Sequence, residues 1–288
     1  MIRRLPSPRT VVELFAAANL AFLAVDVYVA HSVNAFERGQ EWVPVVLSAI
    51  APLLLVVEWL VWRPALSRPD RRLRAGGYTL GLLVGWAAIA VGIAGMLFHL
   101  QSHFFEEQTI RNLVYTAPFV APLAYTGIGL LLILDRTVWV QASACTGQAE
   151  ACPHIEWAQW VVFLALGGFV GNFVLSLADH AQNGFFNRGE WIPVVASALA
   201  VAFLLMLVLR PLDAALQRAT LWLLGIETLT GIAGFSLHLR ANMARPGETL
   251  WARFIYGAPI FAPLLFANLA ILAAIGLWAV RIRACERS

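Results

Sequence analysis

The chain has 288 residues, 60% of them hydrophobic and 13% charged, with a mean hydropathy of +0.74. Soluble domains run nearer half apolar and a quarter charged, so this composition excludes an ordinary soluble domain and indicates a polytopic membrane protein. The net charge of +3 and the pI near 9.0 rest on 20 basic residues, all arginine, whose placement gives no reason to invoke nucleic acid.

Apolar stretches long enough to cross ~30 Å of hydrocarbon lie near 11–33, 43–62, 76–100, 113–134, 158–179, 192–209, 219–239 and 254–280. Each is too long and too evenly apolar for a strand, and only helices or closed barrels satisfy the backbone in lipid. The prediction is an all-α integral membrane protein with eight transmembrane helices. They form two parallel tandem four-helix repeats, related by a pseudo-two-fold axis along the membrane normal. Residues 1–136 make the first repeat, 137–157 a linker and 158–288 the second. The first stretch has the length of a retained helix rather than a signal peptide and carries an internal Asp26.

The repeat is legible in the polar residues. His31-Ser-Val-Asn34 precedes Glu41-Trp42-Val-Pro44, and His180-Ala-Gln-Asn183 precedes Glu190-Trp191-Ile-Pro193 at the same spacing. Gly92-Ile-Ala-Gly95-x3-His99 returns as Gly231-Ile-Ala-Gly234-x3-His238. Tyr115-Thr-Ala-Pro118-x2-Ala-Pro122 returns as Tyr256-Gly-Ala-Pro259-x2-Ala-Pro263. The offset drifts from 149 at the first histidine to 139 at the second and 141 at the tyrosine, so loops have changed length while these positions stayed.

Fourteen arginines fall in the N-terminus, the 63–74 loop, Arg136, the 210–218 loop and the C-terminus. The positive-inside rule makes those segments cytoplasmic. The expected location is the cell inner (cytoplasmic) membrane, with both termini in the cytoplasm and the loops at 32–42, 101–112, 180–191 and 240–253 outside. Cys145 and Cys152, in the linker, then read as free thiols rather than a disulfide. With His154 they do not make a zinc spacing.

His31, His99, His180 and His238 end the outward-running helices, so each repeat is expected to lift two histidines to one depth. Four-helix bundles build haem and metal sites in this way. Imidazole suits haem iron, copper and non-haem iron alike, so haem b and copper or iron are the candidate cofactors. Gly92 and Gly95, with Gly231 and Gly234, leave the helix face bare below an imidazole. That face either seats a flat macrocycle or, more commonly, packs a neighbouring helix. Glu41 and Glu190 suit a helix start on dipole grounds alone. They also suit metal ligation, giving a candidate set of His31, Glu41, His99, His180, Glu190 and His238, or a second shell orienting the imidazoles. The prolines of helices four and eight loosen otherwise continuous helices and release carbonyls for a neighbour.

Asp26, Asp179 and Glu227 lie within or at the ends of the apolar stretches, where charge is disfavoured. They mark a proton path or substrate site. Asp26 is matched by Leu175 and Glu227 by Ala88, so these acids break the repeat; His103, matched by Asn242, reads as a loop residue. The expected function is haem or metal binding near the outer face, serving electron transfer or haem handling, with the lipid bilayer, a membrane redox complex or a quinone as partners. The alternatives are a non-haem copper or iron oxidoreductase, a transporter with a site at the repeat interface, and a structural or assembly subunit. In its tandem bundles with paired histidines the arrangement is similar to the haem A synthase family, although that family's Glu-x-x-His signature is absent.

Overall fold

A computed structural model describes residues 7–62, 71–145, 155–247 and 249–287, with side chains for 7–60, 79–137, 156–247 and 249–282. All regular structure among them is helical. The helices are α1 (Pro8–Ser32), α2 (Trp42–Trp62), α3 (Arg71–Leu100), α4 (Ile110–Tyr115), α5 (Leu123–Cys145), α6 (Ile155–Gln182), α7 (Trp191–Leu209), α8 (Ala214–Met243), α9 (Leu250–Ile255) and α10 (Leu264–Arg287). A 3₁₀ turn precedes α2 at Gly39–Glu41 and α7 at Arg188–Glu190. Cys152, His154, Glu248 and the arginines at 3, 4, 63 and 68 lie outside the described residues, as does the side chain of Cys145.

Seven helices among the described residues are long and apolar enough to cross a membrane. Large apolar side chains stand outward along them, among them Leu53 (65% exposed), Trp86 (60%) and Leu229 (67%). Water would penalise such surfaces and hydrocarbon does not, so this is a multi-pass membrane protein.

Helix starts follow local chemistry. Ser7 caps α1 by accepting from the Thr10 N–H, with Pro8 in the first turn, where its missing N–H does no harm. Asp213 caps α8 by accepting from the N–H groups of Ala215 and Leu216. Thr109 and Thr249 cap the two short helices in the same way, one in each half.

The predicted continuous fourth and eighth helices are not continuous. Residues 116–122 separate α4 from α5, and residues 256–263 separate α9 from α10. The cause is the doubled Ala-Pro: each proline lacks an N–H and pushes the preceding alanine out of the helical region. A regular helix resumes only after the second proline, at Leu123 and at Leu264. Among the candidate spans, α5 does not appear, whereas α10 does over Leu264–Ile282.

The chain forms two compact units, Met1–Val91 with Tyr125–Trp157, and Gly92–Ala124 with Ala158–Ser288. The first unit buries Ala16 and Leu20 of α1 against Ala51 and Leu55 of α2, Val84 and Ala88 of α3, and Tyr125, Ile128 and Leu132 of α5. Gly85 lets α3 approach α5 closely, since a Cβ there would stand 3.1 Å from the Gly129 carbonyl oxygen. In the second unit, α8 packs on α7 and α10, and Gly168 and Gly276 bring α6 and α10 together over Leu269 and Val162. Its core includes Phe169, Leu204, Leu207, Ala273 and Leu277.

Candidate histidine–carboxylate site

His31 and His180 each end a long helix one turn before a reversal of the chain. In the first copy Ala35 and Phe36 take positive φ, at 52° and 53°; in the second Gly184 and Phe185 do, at 68° and 51°. Left-handed backbone is unfavourable for a side chain with a Cβ, so non-glycine residues there need tertiary support. The support is aromatic. Phe36 stacks on Trp42 with ring centroids 4.1 Å apart, and Phe185 stacks on Trp191 at the same 4.1 Å. The reversal returns the chain so that a glutamate faces the histidine it left. His31 Nδ1 lies 3.9 Å from Glu41 Oε2, and His180 Nδ1 lies 3.8 Å from Glu190 Oε2. Both oxygens are buried and accept no hydrogen bond among the described residues.

The second histidines are held by the broken helices. His99 Nδ1 is 2.9 Å from the Pro118 carbonyl oxygen, and His238 Nδ1 is 2.8 Å from that of Pro259. In a regular helix those carbonyls would accept from the N–H four residues later, which Pro122 and Pro263 lack. A carbonyl only accepts, so Nδ1 is the donor in both rings, which in a neutral imidazole leaves the lone pair on Nε2. The release of carbonyls by the doubled prolines therefore has a defined user.

The Ala-Pro segment is pinned to the preceding helix by different chemistry in each copy. Ser102 Oγ and Thr116 Oγ1 bond at 2.8 Å, Thr116 Oγ1 donates to the His99 carbonyl at 2.7 Å, and the Ala117 N–H donates to Ser102 Oγ at 2.9 Å. In the second copy Asn242 takes this role: its Nδ2 donates to the Ala258 carbonyl at 2.9 Å and its Oδ1 accepts the Ala258 N–H at 2.7 Å, while Arg245 donates to the Tyr256 carbonyl. The residue matching Thr116 is Gly257, and a Cβ there would run into Asn242 Oδ1 and the Arg253 carbonyl. His103 is exposed and lies beyond α3 in a turn, so His99-x3-His103 is not a helix face.

The glycine face below the second histidines is filled. A Cβ on Gly95 would stand 2.8 Å from Pro122 Cβ, and one on Gly234 would stand 2.8 Å from Pro263 Cβ. Gly231 faces the Pro263 carbonyl and Phe266. The second proline of each pair thus packs directly on Gly95 and Gly234, and these two glycines serve helix packing.

His180, Glu190 and His238 all belong to the second unit, and His180 interacts electrostatically with both of the others. His31 and Glu41 belong to the first unit, whereas His99 belongs to the second. Among the described residues, no group of three or more His, Cys, Asp or Glu side chains is close enough to hold a metal ion.

The intramembrane acids are placed differently. Asp26 is partly buried in α1, within electrostatic reach of Tyr125. Tyr125 bonds Ser48 Oγ at 2.5 Å and donates to the Pro44 carbonyl at 3.1 Å. Asp179 lines a cavity of about 10 Å³, one water in size, with Leu113, Thr116, Pro118, Val174 and Gln182. Glu227 is fully buried in α8.

Two sets of residues escaped sequence reasoning. Tyr125 and Ser48 form one. Its signal lay in the comparison of the repeated motifs, because Tyr125 is matched in sequence by Phe266 while Ser48 recurs as Ser197. The other is a charge network in the first unit: Arg136 meets Glu13 at 2.5 Å, Glu58 at 2.8 Å and Asp135 at 3.0 Å, and Arg9 meets Asp135 at 3.0 Å. It joins α1, α2 and α5 and gives Arg136 a structural task besides its topological one. Tyr115 and Tyr256 are exposed, in the manner of interfacial aromatic residues.

Comparison of the chain with known protein families, with curated proteins and with solved structures finds no match.

Proposed function

We propose that the paired histidines bind a redox-active transition-metal ion, copper or iron, near the outer face of the cell inner membrane, and that the protein passes electrons there to a membrane redox complex or a quinone. The observation that carries this reading is the anchoring of His99 and His238 to proline-released carbonyls, made the same way in both copies. A backbone acceptor on Nδ1 is how proteins fix the tautomer and aim Nε2 of a metal-ligating histidine. In the second unit His180 has a carboxylate at its own Nδ1, and Glu190 and His238 both lie within its electrostatic reach. Two imidazoles and a carboxylate are a donor set for a first-row metal. Binding requires these three to draw together, or water to complete the shell, since they stand open. The pairing of a glutamate with a histidine in both copies, and the closed glycine face, favour a small ion over haem.

The eight-helix, parallel two-repeat topology with cytoplasmic termini belongs to the same proposal and rests on the arginine distribution and the duplicated motifs. The test is elemental analysis and an optical spectrum of the purified protein, with His180→Ala, Glu190→Gln and His238→Ala as variants. Bound copper or iron that is lost in His238→Ala supports the reading. A metal-free protein that takes up neither ion from solution refutes it. A Soret band after haemin addition would transfer the site to haem.

A second reading, a transporter, gains from one observation: α4/α5 and α9/α10 are broken helices, as transporter sites commonly use. Loss of uptake into vesicles on Asp26→Asn or Glu227→Gln, with metal content unchanged, would favour it.

A further inference from the structure

Glu227 lies eleven residues before His238 on α8, about 16 Å along the helix axis, near the middle of a 30-residue helix. Its side chain is 0% exposed, and neither carboxyl oxygen has a hydrogen-bond partner among the described residues. Among the described residues the helices packed on α8 offer no counter-charge at this level; α9 carries Arg253, which donates to the Met243 carbonyl at the far end of α8. α7 contains no titratable side chain between Trp191 and Leu209. On α10 the first charged residue is Arg281, which donates to Gln217 Oε1 at 2.9 Å, ten residues before Glu227 on α8. On α6, packed against α10, the titratable residues are Glu156, Asp179 and His180, all near the helix ends. On α8 itself Arg218, His238 and Arg240 stand toward its two ends.

An unpaired carboxylate is strongly disfavoured in such surroundings. Packing does not explain its presence, because the first half has fully buried Ala88 at the matching position. Nor is Glu227 alone. Asn172 of α6 is 3% exposed, its Nδ2 lacks an acceptor, and its match in the first half is Leu23. Buried polar groups without partners occur in native proteins chiefly where function requires them.

We propose that Glu227 is a proton-binding site in the interior of the second unit, neutral at rest and exchanging its proton with the aqueous phase, which gives the second half a role the first lacks. This inference stands whether or not the histidines hold a metal.

The test uses the full chain in membranes and dicyclohexylcarbodiimide, which reacts with protonated carboxyls in apolar surroundings. The acid proton moves to a carbodiimide nitrogen and the carboxyl oxygen bonds to the central carbon. The acyl group then migrates to nitrogen, giving an N-acylurea with no atom lost. Peptide mass spectrometry should find Glu227 labelled, with labelling falling at least tenfold as pH is raised. A water-soluble carbodiimide should leave it unlabelled. Infrared spectroscopy should show a carboxylic C=O band that shifts in deuterated water and is absent in Glu227→Gln, while Glu227→Asp keeps a band of this kind. An unlabelled Glu227, equal labelling by the water-soluble reagent, or a band that ignores deuterated water and pH, as for an acid locked in a structural role, overturns the proposal.

Discussion

His238 Nδ1 stands 2.8 Å from the carbonyl oxygen of Pro259, an acceptor left without a helical donor because Pro263 has no N–H. One covalent feature, a proline four residues downstream, thus breaks a helix, releases an acceptor and orients a histidine on a different helix. The same three consequences follow from Pro122 for Pro118 and His99.

Restoring the missing donor should loosen that histidine. In Pro263→Ala the new N–H competes for the Pro259 carbonyl, and the His238 ring loses its fixed tautomer. On the proposed metal reading, loss of the partner at Nδ1 lowers metal affinity by about 10–100-fold, so competition titration with a chelator should show a drop of that size. Nitrogen-15 spectra of the histidines should show a mixture of tautomers. Unchanged affinity would remove Pro259 from the site.

Gly234 and Pro263 are in close register, with 2.8 Å between a hypothetical Cβ and the proline ring. Gly234→Val must push α8 and α10 apart and should lower stability by about 1–3 kcal/mol, read as a lower midpoint of thermal unfolding in detergent. Gly127→Val, with nothing within 4 Å of its Cβ position, is the control and should change little.

Arg136 bridges Glu13, Glu58 and Asp135 in a largely buried cluster, where its own side chain is 11% exposed. Arg136→Ala removes the guanidinium from Glu13 and Glu58, while Asp135 keeps Arg9, and should cost about 3–5 kcal/mol. Arg136→Lys should lose part of this, because a single ammonium cannot serve three carboxylates at the angles of a guanidinium fork. Guanidinium chloride unfolding followed by tryptophan fluorescence would report both.

Ala35 holds φ at 52°, whereas the second copy uses glycine for the first left-handed residue of the same turn. Ala35→Gly should relieve local strain of about 1–2 kcal/mol, less the entropy glycine regains on unfolding. A midpoint raised or unchanged is expected, whereas Phe36→Gly should lower it by removing the stack on Trp42. A fall on Ala35→Gly as large as on Phe36→Gly would show that the strain is not there.

Much of this was legible in the chain before folding. The predicted stretches 11–33, 158–179 and 219–239 fall on α1, α6 and α8, because a long, evenly apolar run in lipid has one stable way to satisfy its backbone. The duplicated spacing places His31 with Glu41 and His180 with Glu190 on one short loop each, where a dipole-favoured helix start and a carboxylate facing the imidazole are equal readings. The fold brings each pair to 3.9 and 3.8 Å. The doubled Ala-Pro implies a loosened helix, but composition alone does not separate a bent helix from a broken one, since that depends on whether neighbours accept the freed groups. The Arg136 network was hidden for a similar reason. Arg9, Glu13, Glu58, Asp135 and Arg136 are scattered in sequence, and only the packing of α1, α2 and α5 brings them together.

The sequence by itself determined the membrane class and the spacing of the polar motifs that occur twice along the chain. It did so because hydropathy, charge asymmetry and repeat spacing are properties of the covalent chain. Tertiary structure alone decided what faces those positions. It set the proline carbonyls on His99 and His238, filled the glycine faces with proline rings, and left Glu227 buried without a counter-charge. Each of these depends on which helix surfaces meet, and in lipid that choice rests on close packing and hydrogen bonding rather than on hydrophobic pattern.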